Sequence, residues 1–169
     1  DSKVSRGLGD VYKRQGVPYG YTQYSIAKIE KTYPPTGQFE IIDNIKMHYQ
    51  ISGSGPIVIL LHAQPSNQEQ FNKLKDVLKN NYTVISIDRP GMGYSESIKE
   101  QSPKRLMQQA QLIRGLVRKI TKEKPIVIGH SYGGALALSY AIQFEEEVSG
   151  LIVVNTASHA WKKGKPWLP

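Results

Sequence analysis

Hydrophobic and polar positions change their rhythm several times along the chain. Phe39 to Ile42 reads as a short strand, and Asp43-Asn44 supplies a tight turn, because both residue types tolerate positive φ. Ile45 to Ile51 then alternates, with Ile45, Met47, Tyr49 and Ile51 on one face and Lys46, His48 and Gln50 on the other. That period predicts a half-buried antiparallel strand. Beyond the Gly53-Ser54-Gly55-Pro56 break, Ile57 to Leu61 is apolar without alternation, which suits a central parallel strand covered on both faces. A helix follows, with Asn67 as N-cap and Phe71, Leu74 and Leu78 as its buried stripe; Thr83 to Ile87 is the next buried strand.

Ser102-Pro103 is a helix start, a capping side chain followed by proline at the first helical position. Leu106, Ala110, Ile113, Val117 and Ile120 keep the helical period, with Arg105, Arg114, Arg118 and Lys119 largely off the stripe. The alternation repeats once more as strand Pro125 to Ile128, helix Ser131 to Phe144 and strand Leu151 to Val154. Strands alternating with helices imply a mostly parallel, doubly wound sheet with helices on both faces. The expected order places the Ile57 strand between the Thr83 and Pro125 strands, with the Leu151 strand beyond Pro125 to Ile128.

The N-terminal region follows none of these rhythms. Residues 1–15 have no hydrophobic period, and Ser5 to Gln15 resembles the in-frame translation of a sequencing adaptor, so they are set aside from the fold. Residues 16–37 read as an irregular segment ending in Tyr33-Pro34-Pro35-Thr36-Gly37, and 38–169 as the folded core. Composition narrows the function classes. An apolar share of 39% with 21% charged residues is that of a globular protein, and no apolar run nears the roughly 20 residues of a membrane-spanning helix. The absence of cysteine removes disulfides, thiolate metal sites and a cysteine nucleophile. The net charge of +8 is spread along the chain with acids between the bases, the densest cluster being Lys162, Lys163 and Lys165, so a nucleic-acid partner is not expected.

The chemistry-bearing motif is Gly129-His130-Ser131-Tyr132-Gly133. Gly-x-Ser-x-Gly arises readily by chance, but here it lies directly between a buried apolar strand and a helix, where a nucleophile elbow belongs. Such a turn lifts the Ser131 hydroxyl to a helix N-terminus, and Gly129 and Gly133 let strand and helix approach. His62-Ala63-Gln64-Pro65, at the end of the central strand, is placed to offer a backbone N–H to an oxyanion, with the N–H of Tyr132 as the second donor.

Together with Asp88-Arg89-Pro90-Gly91-Met92-Gly93-Tyr94-Ser95, these motifs resemble the three landmarks of the α/β-hydrolase fold, in order and over Tyr33 to about Trp161. The resemblance implies a serine nucleophile at Ser131 and backbone oxyanion donors at Gln64 and Tyr132. It makes Asp88 a structural turn residue, since this fold's triad runs Ser, acid, His in chain order. Ala63 departs from the family's usual glycine. Ser158-His159-Ala160-Trp161 resembles the entrance to a cap, which makes His159 and Trp161 pocket-wall residues. No carboxylate follows Glu147, so catalytic acid and base are expected beyond Pro169, along with the cap and the last strands. The 169 residues alone are then expected to be essentially inactive.

The function implied is hydrolysis of an ester-like small molecule through an acyl-enzyme at Ser131. C–C, thioester or cofactor-free haloperoxidase chemistry on the same machinery, and a non-catalytic ligand receptor of this fold, remain as alternatives. Epoxide hydrolases and haloalkane dehalogenases use Asp where this chain has Ser131. No metal or organic cofactor is implied. Cytoplasmic is the default location, with membrane association as the alternative if a natural N-terminus precedes this sequence.

Overall fold

The computed structural model describes residues 2–99 and 104–156, with side chains from residue 16 onward. The chain divides into two units between Thr36 and Gly37. The first consists of helix α1 (Ser2–Thr32) and a short segment without regular secondary structure. The expectation of an irregular 16–37 is thereby corrected. Val17, Tyr19, Tyr21, Tyr24 and Ile29 are all more than half exposed, so from residue 16 onward, where side chains are described, the helix buries no apolar stripe that a periodicity could reveal. It is held by its own ladder, reinforced where the Thr22 and Thr32 hydroxyls donate to the carbonyls of Pro18 and Lys28. It ends at Thr32, just before Pro34 and Pro35, which disfavour helical backbone ahead of them.

The second unit is built on six strands: β1 (Gln38–Ile42), β2 (Ile45–Ser52), β3 (Ile57–Leu61), β4 (Thr83–Ile87), β5 (Ile126–His130) and β6 (Gly150–Val154). Their order is β1-β2-β4-β3-β5-β6. Strands β1, β2 and β4 pair antiparallel, whereas β4, β3, β5 and β6 are parallel neighbours. This is the expected order, with β3 at the centre. The β1–β2 hairpin turns through Asp43 (φ 48°) and Asn44 (φ 62°), and the two positive φ values let a two-residue loop follow the twist of its strands.

The sheet is covered on both faces. Ile57, Ile59 and Leu61 of β3 pack in the larger core with Ile85, Ile87 and Val127, against Ile113, Leu116 and Val117 of α3 (Arg105–Ile120) and Leu136, Ala137 and Tyr140 of α4 (Tyr132–Gln143). Val58 and Leu60 point the other way and join Val84, Ile128 and Phe71. Phe71 closes a 3-10 turn (Gln68–Phe71) in which Asn67 caps by accepting from the Glu69 N–H, and α2 (Asn72–Leu78) follows. Two expectations need correction here. Leu74 is exposed, because one 3-10 turn before α2 rotates the expected stripe and leaves only Phe71 and Leu78 packed inward. His48, assigned to the polar face of β2, is buried, because the 88–95 loop covers that face as well. The Ser102-Pro103 start lies outside the described residues. Among the described residues no helix is long and apolar enough to cross a membrane.

Candidate active site

Parallel pairing of β3 with β5 sets Leu61 opposite Gly129, so the loops leaving both strands emerge at the same carboxyl edge of the sheet. Ser131 stands alone between β5 and α4 with φ 53° and ψ −117°, a conformation that stores about 1–3 kcal/mol of strain for a residue with a Cβ. The surroundings hold it there. The Ser131 N–H donates to the carbonyl of Val154 at the end of β6, and the Ser131 carbonyl accepts from the N–H groups of Gly134 and Ala135. The flanking glycines are needed for closeness. A Cβ at Gly133 would collide with the carbonyls of Leu61 and His62, and one at Gly129 would meet the carbonyl of Gly133 and the Cα of Gly134. The elbow therefore rests directly on the end of β3.

The N–H groups of Gln64 and Tyr132 donate to no described residue. Tyr132 opens α4, where the helix leaves N–H groups unpaired and favours negative charge. In the other loop the peptide between Gln64 and Pro65 is cis. His62 is fully buried. Its Nε2 accepts from the Arg89 N–H at 3.0 Å, which leaves Nδ1 to donate to the Ala63 carbonyl at 2.8 Å. Burial pushes its pKa down to about 4, with the Arg89 charge adding to the effect against the Ala63 bond, so the ring is neutral near pH 7.

Arg89, also buried, aims its guanidinium at the same loop. Its Nε donates to the His62 carbonyl at 2.8 Å, and its Nη2 donates to the Ala63 carbonyl at 3.0 Å and to Gln64 Oε1 at 3.1 Å. The guanidinium lies 4.6 Å from the centroid of the Tyr132 ring. From the solvent side, Gln70 Oε1 accepts from the Ala63 N–H at 2.9 Å while its Nε2 donates to His130 Nδ1 at 2.6 Å.

Asp88 has the structural role expected of it. Its Oδ1 accepts from the Gln68 N–H, and its Oδ2 from the Tyr94 N–H and His48 Nδ1. Burial raises its pKa, but these donors outweigh burial and hold the carboxyl below its ordinary value. Asn155, not a carboxylate, follows β6 with φ 48°. Glu147 is committed to Arg114 and Arg118 beside the short turn that leads to β6. His159 and Trp161 lie outside the described residues.

Sequence reasoning missed Arg89, Gln70 and the His48–Asp88 pair. Arg89 had a signal, as a cation two residues beyond a buried strand within a glycine-rich turn. Gln70, a polar residue near a helix start, had none.

The comparisons agree with this geometry. The family model described as alpha/beta hydrolase fold matches residues 56–169. The chain is 30% identical over 131 residues to an uncharacterized protein of Mycobacterium tuberculosis, covering 78% of this chain and 38% of that protein. Among solved structures, the epoxide hydrolase CorEH is matched with TM-score 0.70 and 28% identity over 79% of this chain and 46% of that one. The esterase EaEST from Exiguobacterium antarcticum is matched with TM-score 0.68 and 28% identity over 78% of this chain and 50% of that one. The chain thus spans half or less of the length of these relatives. Elbow, loop, sheet order and family match converge, and the chain belongs to the α/β-hydrolase fold family.

Proposed function

We propose that the full-length protein is a serine hydrolase that opens an ester-like bond in a small molecule. Ser131 Oγ, its proton taken by the triad base, adds to the acyl carbon, and the carbonyl oxygen gathers negative charge, which the N–H groups of Gln64 and Tyr132 receive. The adduct then collapses, re-forming the C=O as the C–O bond breaks and the base passes the proton to the leaving alcohol. Water then cleaves the acyl-serine to release the acid. The acid and base of the triad are proposed to come from the part of the full-length protein beyond Pro169, in this fold's chain order. The observation that carries the reading is Ser131 itself, kept at φ 53° and ψ −117° beside the first N–H of a helix, which donates to no described residue. A hydrolytic activity is also supported by relatives named as esterase and epoxide hydrolase. Between those two, serine at position 131 favours the ester, since epoxide opening in this family uses a carboxylate nucleophile.

The test is covalent. A serine-directed phosphonate should label the full-length protein on the peptide containing Gly129 to Gly134, and Ser131→Ala should abolish both labelling and ester turnover. Labelling that survives in Ser131→Ala would overturn the assignment.

A further inference from the structure

We infer that Gln70 and Arg89 are positioning residues that fix the loop after β3 against the elbow, one from each side, so that the Gln64 N–H is the one left to meet an oxyanion. The inference rests on the acyl-transfer reading above and deepens it.

Backbone donors stabilise a tetrahedral oxyanion only when they are already in place, within about 2.7–3.1 Å of where the charge will appear. Residues 63–66 have no scaffold of their own for this. Among the described residues they donate and accept no backbone-to-backbone hydrogen bond. The Ala63 backbone and the Gln64 side chain are instead held by side chains from outside the segment. Arg89 grips the carbonyls of His62 and Ala63 and the side-chain oxygen of Gln64; Gln70 takes the Ala63 N–H. Each gripping side chain also touches the elbow, Arg89 through the Tyr132 ring and Gln70 through His130 Nδ1. Loop and elbow are therefore set relative to each other, and not merely each to the rest of the fold.

The two contacts also divide the loop's donors. With its N–H held by Gln70, Ala63 is withdrawn from the site, and the next N–H, that of Gln64, is left over among the described residues. With its side chain held by Arg89, Gln64 presents backbone in place of amide. Arg89 has no carboxylate partner among the described residues, although it is 1% exposed. A buried guanidinium satisfied only by neutral oxygens keeps its charge unneutralised. Held against the Tyr132 ring, that charge favours an anion at the elbow.

The experiment uses the full-length protein, a short-chain nitrophenyl ester, a boronic acid that forms a tetrahedral serine adduct, and a non-covalent substrate analogue. Gln70 is exposed, so Gln70→Ala is the variant least disturbing to folding. It should lower kcat about tenfold to a hundredfold with KM nearly unchanged, and weaken the boronic acid in step while leaving the analogue's affinity alone. Gln70→Glu keeps the acceptor for the Ala63 N–H, with His130 turning its proton to Nδ1, and should restore most of the loss. Arg89→Lys, which keeps the charge but not the planar fork, should lose about a hundredfold. Wild-type kcat and boronate affinity in Gln70→Ala would overturn the inference, as would equal losses for boronate and analogue, which mark a folding defect. Failure of the wild-type protein to form the Ser131 adduct would instead remove the acyl-transfer reading, and the inference with it.

Discussion

Strands β3 and β6 have nearly interchangeable sequences and opposite surroundings. Ile57-Val58-Ile59-Leu60-Leu61 is at most 7% exposed at every position, whereas Leu151-Ile152-Val153-Val154 is 37–49% exposed. Both are parallel strands of the same sheet. The difference is place: β3 lies between β4 and β5 under two layers of helix, while β6 is the edge strand among those described. An apolar run therefore reports the burial a strand is suited to, and the neighbours decide whether it is realised. An apolar edge strand whose outer N–H and carbonyl groups stay unpaired is a template for association.

The comparison can be broken most forcefully at Ile59, which is 0% exposed. Ile59→Ala should destabilise the fold by about 2–5 kcal/mol in denaturant unfolding, and a loss under about 1 kcal/mol would deny β3 its central role. Ile152→Ala on β6 should matter much less in the 169-residue chain, by about 0.5 kcal/mol. Val153→Lys should raise its soluble yield by charging the edge. The same Ile152→Ala measured in the full-length protein sharpens the point, since a cost in the β3 range there would show that further chain covers the strand.

The smallest effect concerns how β6 is approached. Glu147 sits in the 3-10 turn (Glu145–Glu147) ahead of the strand, and its hydrogen bonds to Arg114 and then Arg118 draw its pKa down from 4.5 to about 2. A depressed carboxylate pKa adds stability above the unfolded value, and that increment disappears as pH falls from about 4.5 towards 2. Glu147→Gln should flatten this part of the stability–pH curve by a modest amount, because the pair faces solvent. An unchanged acid limb would show that the ion pairs contribute nothing to holding β6.

Much of this architecture was legible in the sequence because its signals are local. Asp43-Asn44 demanded a positive-φ turn, the unalternating β3 demanded a central place, and glycines on both sides of Ser131 demanded a close approach of strand and helix. The donors expected at Gln64 and Tyr132 are backbone groups, whose availability depends on turn geometry more than on residue type. What stayed hidden depends on distant partners. His48 looked polar and outward, yet Asp88, forty positions away, accepts from its ring, and the Tyr94 and Phe39 rings pack beside it. Leu74 looked inward until a single 3-10 turn changed the phase of its helix. From residue 16 onward helix α1 buries no apolar stripe, so the period that reveals most helices is missing from that part of it.

The conformation of Ser131 has a consequence for how this chain can change over generations. Most positions in a folded core are downhill traps, where the resident side chain is close to the best available and substitution loses stability. Here the reverse holds. A φ of 53° with ψ of −117° is tolerated most easily by glycine, so replacing Ser131 with glycine would relax the backbone while deleting the hydroxyl on which the proposed chemistry depends. At this one position thermodynamic improvement and retained activity point in opposite directions, and random drift has a favourable slope away from function.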